Sequence, residues 1–135
     1  MPVSFESFVS IEYVTDQARG WLVTTAQGAV TLEEVDAHLD LEERNSDLGR
    51  PELIDARSAT TNVTADQVRR LAHRAADMLS SVRLGPTAIV TDNDVVFGMS
   101  RMYSVFAQRT GAAVEVFRDF DAASAWLEHN GHVNE

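Results

Sequence analysis

Three aspartates, Asp55, Asp92 and Asp94, are the residues with the clearest chemical potential in this chain. Asp55 closes the apolar run Leu53-Ile54, and Asp92-Asn93-Asp94 follows Ala88-Ile89-Val90. Hard divalent cations favour clustered carboxylate oxygens, so the three together would make a magnesium-type site. That site would support a metal-dependent hydrolase or phosphoryl-transfer enzyme. Each aspartate also has a plainer use. Asp94 suits a helix cap, Asp92 suits ordering of its own turn, and Asp55 suits pairing with Arg57. The plainer uses are preferred, so the expected site has no catalytic residue, no metal and no cofactor.

Two other groups have chemical interest. Ser58, Thr60, Thr61 and Thr64 crowd the segment before a helix. A phosphoryl group there would meet free amides and a favourable dipole, which makes Ser58, Thr61 and Thr64 candidate phosphorylation sites. Phe97-Gly98-Met99, with Met102 one turn on, reads as the wall of a small apolar pocket. Thioether side chains deform easily, and a glycine inside a helix, costing ~1 kcal/mol against alanine, suggests close approach by a neighbour or ligand. Arg57 and Arg101 join this group as candidate ligand contacts, Arg101 suiting an anion. The histidines are scattered: His38 with Glu42 and His73 with Asp77 read as surface pairs. His129-x-x-His132 lacks a third ligand.

Composition narrows the functions. The 135 residues include no cysteine and no lysine, all 11 basic residues being arginine. Thiol nucleophiles, thiolate metal sites, Schiff bases and the phosphate-loop lysine are therefore excluded. A net charge of −10 disfavours nucleic acid and anionic membrane surfaces as partners. No apolar run nears the ~20 residues that span a bilayer. The opening Met1-Pro2-Val3-Ser4 lacks signal-peptide character, so a cytoplasmic location is expected.

The elements that must position these residues follow from periodicity. Alternation over 5–14 predicts a strand, Thr15–Gly20 a hairpin turn, and 20–25 a second, antiparallel strand broken by Ala26-Gln27-Gly28. Thr31 with Glu34 forms a capping box before a helix at 32–44, with Leu32, Val35 and Leu39 inward. Its remaining surface, Glu33, Glu34, Asp36, Asp40, Glu42 and Glu43, reads as solvated or as an acidic docking face for a protein partner. A strand at 52–57, a helix at 65–81 capped by Thr64, and a strand at 87–92 come next. The helix at 65–81 buries Val68, Leu71, Ala72, Ala75 and Leu79. A helix at 95–109 capped by Asp94 carries the stripe Val95, Met99, Met102, Tyr103 and Phe106. Gly111 stops it. A strand at 113–117 and a helix capped by Asp121, with Ala122, Ala125 and Trp126 inward, complete the chain, and Gly131 ends that helix. This predicts one domain over 1–135: an α/β fold with a mixed five-stranded sheet, an N-terminal antiparallel hairpin, parallel crossovers and four helices. Loops after the third, fourth and fifth strands share one edge of the sheet, where open α/β sheets collect ligands.

Four stretches taken together resemble the bacterial SpoIIAA-like proteins of the STAS-like group. They are Gly28 with Thr31-Leu-Glu-Glu34, Glu52-Leu-Ile-Asp-Ala-Arg57, Val96-Phe-Gly-Met-Ser-Arg-Met-Tyr103, and Val116 through Leu127. The resemblance covers most of 19–127 and implies a mixed five-stranded sheet with helices around it. The wider group includes anti-sigma-factor antagonists and, distantly, Sec14-type lipid-binding modules. The antagonists carry a phosphorylated serine in an Asp-Ser-x-Gly loop at the second helix. Here that stretch is Thr60-Thr-Asn-Val-Thr-Ala-Asp-Gln67, without the serine or the glycine, leaving Thr61 or Thr64 to substitute.

The expectation is a non-enzymatic regulatory module that binds a small apolar ligand or lipid near Phe97. A phosphorylation-controlled partner-switching antagonist and the aspartate metalloenzyme are the alternatives. Self-association as a homodimer, through an exposed helix or the edge strand, is a further expectation.

Overall fold

The computed structural model describes residues 10–79 and 84–131, with the side chain of Leu79 outside that set. Residues 5–9 of the first expected strand, 80–81 of the second expected helix and His132 also lie outside the described residues.

The sheet has the order β1-β2-β3-β4-β5. β1 (Ile11–Asp16) and β2 (Trp21–Val30) are antiparallel, joined through a turn that ends on Gly20 at φ +73°. β3 (Glu52–Thr61), β4 (Thr87–Val90) and β5 (Val114–Phe117) continue in parallel. Each parallel step needs a crossover, and α1 (Leu32–Arg44), α2 (Ala65–Leu79) and α3 (Asp94–Gln108) supply them. Right-handed crossovers that advance in one direction fall on one face of a sheet. The side chains agree: Ala26, Ala56 and Val96 pack on that face with Val35. Ile89, Val114 and Val116 pack there with Ala107 of α3. α4 (Phe120–Asn130) covers the opposite face, where Ala123 and Leu127 pack on Trp21, Leu53, Ala88 and Val90.

Several local expectations are corrected. β2 is not broken at Ala26-Gln27-Gly28; a register shift between Thr25 and Gln27 absorbs the irregularity and pairing continues to Val30 opposite Thr61. β3 likewise runs to Thr61, so Ser58, Thr60 and Thr61 are strand residues rather than loop residues. Asn93, not Asp94, caps α3, accepting a hydrogen bond from the Val96 amide. Asp119, not Asp121, caps α4 through the Ala122 amide. In both helices the true cap is one or two residues earlier than expected, and the buried face moves with it. Val96, Ser104 and Ala107 point inward while Val95 is exposed. Ala123 and Leu127 are buried while Ala122 and Ala125 are exposed and Trp126 is half-buried.

Candidate functional site

The helix-covered face of the sheet holds a hollow of about 220 Å³ between α1, α2 and α3. Small side chains make its floor: Ala26 of β2 and Ala56 and Ala59 of β3 leave space that larger residues would fill. Val35 and Leu39 of α1, Val68 and Leu71 of α2, and Val96 and Met99 of α3 wall it. Alternation along β3 directs Glu52, Ile54 and Ala56 toward the hollow and Leu53 toward α4.

One corner of this apolar space is polar. His38 and Glu42, one turn apart on α1, meet Glu52 at the start of β3. His38 Nε2 lies 2.9 Å from Glu42 Oε2 and 3.1 Å from Glu52 Oε2. Glu42 is 2% exposed and Glu52 7%. The Thr24 hydroxyl donates to Glu52 Oε2 at 2.5 Å. Tyr13 sets its ring edge-on to the His38 ring at 5.5 Å. The Tyr13 hydroxyl donates to Asp47 Oδ2 at 2.9 Å and accepts from Asn45 Nδ2 at 2.7 Å. The ring beside His38 is thus held at its far end.

The electrostatics follow from burial with mutual contact. Burial opposes charge on His38, but hydrogen bonds and the charges of Glu42 and Glu52 outweigh it and raise its pKa to about 9. Burial drives Glu42 up to about 8, with Glu52 adding repulsion and His38 opposing. Burial also acts to raise Glu52, yet His38, Glu42 and Thr24 together hold it below the ordinary carboxylate value. One imidazole ring cannot neutralise two buried carboxylates. The one with more donors stays ionised and the other retains its proton. Burial, with Glu52 and Glu42 nearby, pushes the Tyr103 hydroxyl on the same hollow up to about 12.

The expected site residues are distributed differently. Of Phe97, Gly98, Met99, Met102, Arg57 and Arg101, only Met99 lines the hollow. Phe97 packs on the β5 side of α3 and its ring lies under the Arg118 guanidinium, 4.2 Å away. Gly98 is exposed, and a Cβ built there meets nothing within 4 Å, so no close neighbour required the glycine. Arg101 is exposed, and Met102 is half-buried away from the lining. Arg57 forms a two-pronged pair with Asp55 at 2.9 Å and stacks 4.7 Å from the Phe120 ring. Arg118 pairs with Asp94 at 2.8 Å and donates to the Asp92 carbonyl at 3.3 Å. The three loops do share a rim, but arginines occupy the space among their aspartates. Among the described residues, the set of acidic and histidine side chains close enough to share one cation is His38, Glu42 and Glu52 rather than Asp55, Asp92 and Asp94.

Thr61 donates to the Val30 carbonyl at 2.9 Å and accepts from the Val63 amide, which places its hydroxyl inside the β2–β3 seam. Thr64 caps α2 with Gln67 as its reciprocal partner, and Ser58 is exposed on β3. The acidic face of α1 is largely consumed within the molecule. Glu34 completes the capping box with Thr31, Arg74 of α2 binds Asp36 and Asp40, and Glu42 is buried rather than solvated. His38–Glu42 is therefore an interior pair, not a surface one.

Sequence reasoning missed the triad because Glu42 was one of six acids on a short helix. The usable signal was position. His38 and Glu42 continue the inward row of Val35 and Leu39, and Glu52 stands in phase with Ile54 and Ala56.

The fold is SpoIIAA-like. A solved structure of an uncharacterised DUF3478-family protein with a SpoIIAA-like fold, from Shewanella loihica PV-4, superposes with a TM-score of 0.53. The match covers 87% of this chain and 91% of that one at 20% identity, which carries the fold and nothing finer. No protein-family model matches the sequence, and no curated protein does. Among the described residues, no helix is long and apolar enough to cross a membrane.

Proposed function

We propose that the protein is a small-molecule binding module of the STAS-like type, whose ligand lies in the hollow beneath α1, α2 and α3. The hollow itself carries the reading: about 220 Å³ bounded mainly by alanine, valine, leucine and isoleucine side chains, with His38, Glu42 and Glu52 converging at one corner. Ligand sites are concave, mostly apolar and furnished with a few convergent polar groups. This one is smaller than the roughly 300–1,000 Å³ of drug-sized sites, which favours a short-chain or single-ring molecule. A cavity of comparable size lined by aliphatic residues binds benzene or xenon rather than water. Such a ligand would set its apolar body on Ala26, Ala56 and Ala59 and its polar end toward His38 and Glu52. In that arrangement α1 and α2 are the elements whose positions report occupancy, which suits a regulatory role.

Native mass spectrometry of the purified protein, followed by thermal-shift screening with short fatty acids and single-ring aromatics, tests the reading. A retained or stabilising compound whose effect is abolished by Ala56→Leu is the expected result. An absence of any retained molecule, together with melting temperatures that no member of the panel moves, overturns it.

A further inference from the structure

We propose that His38, Glu42 and Glu52 form a binding site for a single divalent first-row transition-metal ion. The inference goes beyond the apolar-ligand reading and does not depend on it. Three observations carry it. The first is the donor set. One imidazole nitrogen and two carboxylates are donors suited to zinc, manganese or iron(II), and the ligating atoms all lie within 4.8 Å of one another.

The second is spacing. Ligands about 2.1 Å from a shared ion stand about 3.0 Å apart in octahedral and about 3.4 Å apart in tetrahedral coordination. His38 Nε2 lies 2.9 Å from Glu42 Oε2 and 3.1 Å from Glu52 Oε2. The side chains already converge on one point.

The third is an unsatisfied atom. Glu42 Oε2 is buried with no hydrogen-bond partner among the described residues, although Glu42 is 2% exposed. Nε2 carries at most one hydrogen for the two carboxylate oxygens that stand 2.9 and 3.1 Å from it, so the pair is left short of one full hydrogen bond. A buried acceptor left unmade is costly, and a cation between the three atoms satisfies all of them. Two carboxylates with one neutral imidazole also balance the two charges of the ion.

The surroundings fit the same role. The Thr24 hydroxyl donates to Glu52 Oε2, and the Tyr13 ring packs edge-on against His38. Outer partners of this sort orient the ligands of metal sites. Three protein ligands leave positions open, and the apolar hollow lies beside them.

Isothermal titration calorimetry of chelator-stripped protein with Zn²⁺, and visible absorption with Co²⁺, read the site without any assay of activity. The expected result is one equivalent bound and a Co²⁺ d–d spectrum that Zn²⁺ competes away. Glu42→Gln keeps the size of the side chain and replaces the carboxyl, which must give up its proton to bind metal, with an amide that cannot become an anionic ligand. It and His38→Ala should each weaken binding by more than about 100-fold, beyond the 10–100-fold typical of outer partners. Circular dichroism checks that each variant is folded. His73→Ala and His129→Ala, remote surface changes, should leave binding as it was. Glu42→Gln, the isosteric variant, keeps the test decisive if His38→Ala does not fold. No binding by folded wild-type protein at millimolar metal overturns the site, as does binding that survives Glu42→Gln in full.

Discussion

At the scale of single residues, the buried triad makes the metal-free protein sensitive to alkaline pH. His38 in the folded chain has a pKa raised to about 9 from an ordinary 6.5. Its contribution to stability is complete below pH 6.5 and is lost as pH rises through 9. Glu42, raised to about 8 from 4.5, acts in the same direction, because the unfolded chain releases that proton first. Glu52 is lowered and acts oppositely, losing its contribution as pH falls below the ordinary carboxylate range. With a chelator present, melting temperature should therefore decline from about pH 4.5 to 9, most steeply between about 6.5 and 8 where both groups act. Calorimetric scans of wild type and Glu42→Gln across that window check this, the variant showing the shallower decline. A flat wild-type profile would contradict the protonation pattern assigned to the three groups.

At the scale of elements, the helix caps separate two sequence signals that lie one residue apart. Asn93 accepts the Val96 amide at 3.0 Å, whereas Asp94 is a first-turn residue whose side chain is exposed and paired with Arg118. Asn93→Ala should cost about 1 kcal/mol and Asp94→Ala less than about half of that, read by urea denaturation. Equal costs would mean that the cap is shared. Ala56→Leu tests the sheet floor under the hollow. Leucine there adds three carbons to an empty apolar space and should stabilise by up to ~2 kcal/mol at ~0.8 kcal/mol per methylene, while excluding ligand. A large loss of stability would mean that the hollow is tighter than its lining suggests. These same elements show how far the sequence could be read. The order of strands and helices was legible, because a period of two and a period of 3.6 are local and α1 announces itself with Thr31 and Glu34. The ends of β2 and β3 were not. Ala26-Gln27-Gly28 looks like a break until the partner strand shows that pairing resumes after the shift at Thr25/Gln27 and runs on through Gly28, at φ +73°, opposite Ala59. The inward face of α3 was misplaced because Val95 and Val96 are identical in type, and only packing on Ala56 chooses between them. The polar corner of the hollow needed Glu42 and Glu52 to meet across ten residues of chain, which no local pattern encodes.

At the scale of the whole molecule, three helices share one face of the sheet, and the hollow lies between them over the small floor residues Ala26, Ala56 and Ala59. What ties two of them together is polar. Arg74 of α2 donates to the Asp36 carbonyl at 3.1 Å and to Asp36 Oδ1 at 2.7 Å, and also binds Asp40 one turn along α1. Burial acts to lower the Arg74 pKa, but hydrogen bonds and charge from Asp36 and Asp40 outweigh it and raise it. α1 supplies Val35, His38 and Leu39 to the hollow, and α2 supplies Val68 and Leu71. The latch therefore spans the wall that a ligand must pass if it enters between these helices. The pairs are partly solvated, so Arg74→Ala should lower global stability by only about 1 kcal/mol. Its local effect should be larger. Amides of α1 should exchange several-fold faster with solvent than in wild type, while those of β4 and α4 on the other face keep their protection. Dissociation of a compound held in the hollow should accelerate in step with α1 opening. Hydrogen exchange resolved by element decides the matter: equal acceleration in α1 and α4 would make Arg74 an ordinary contributor to stability, and unchanged α1 exchange would mean that its apolar contacts alone keep the wall shut.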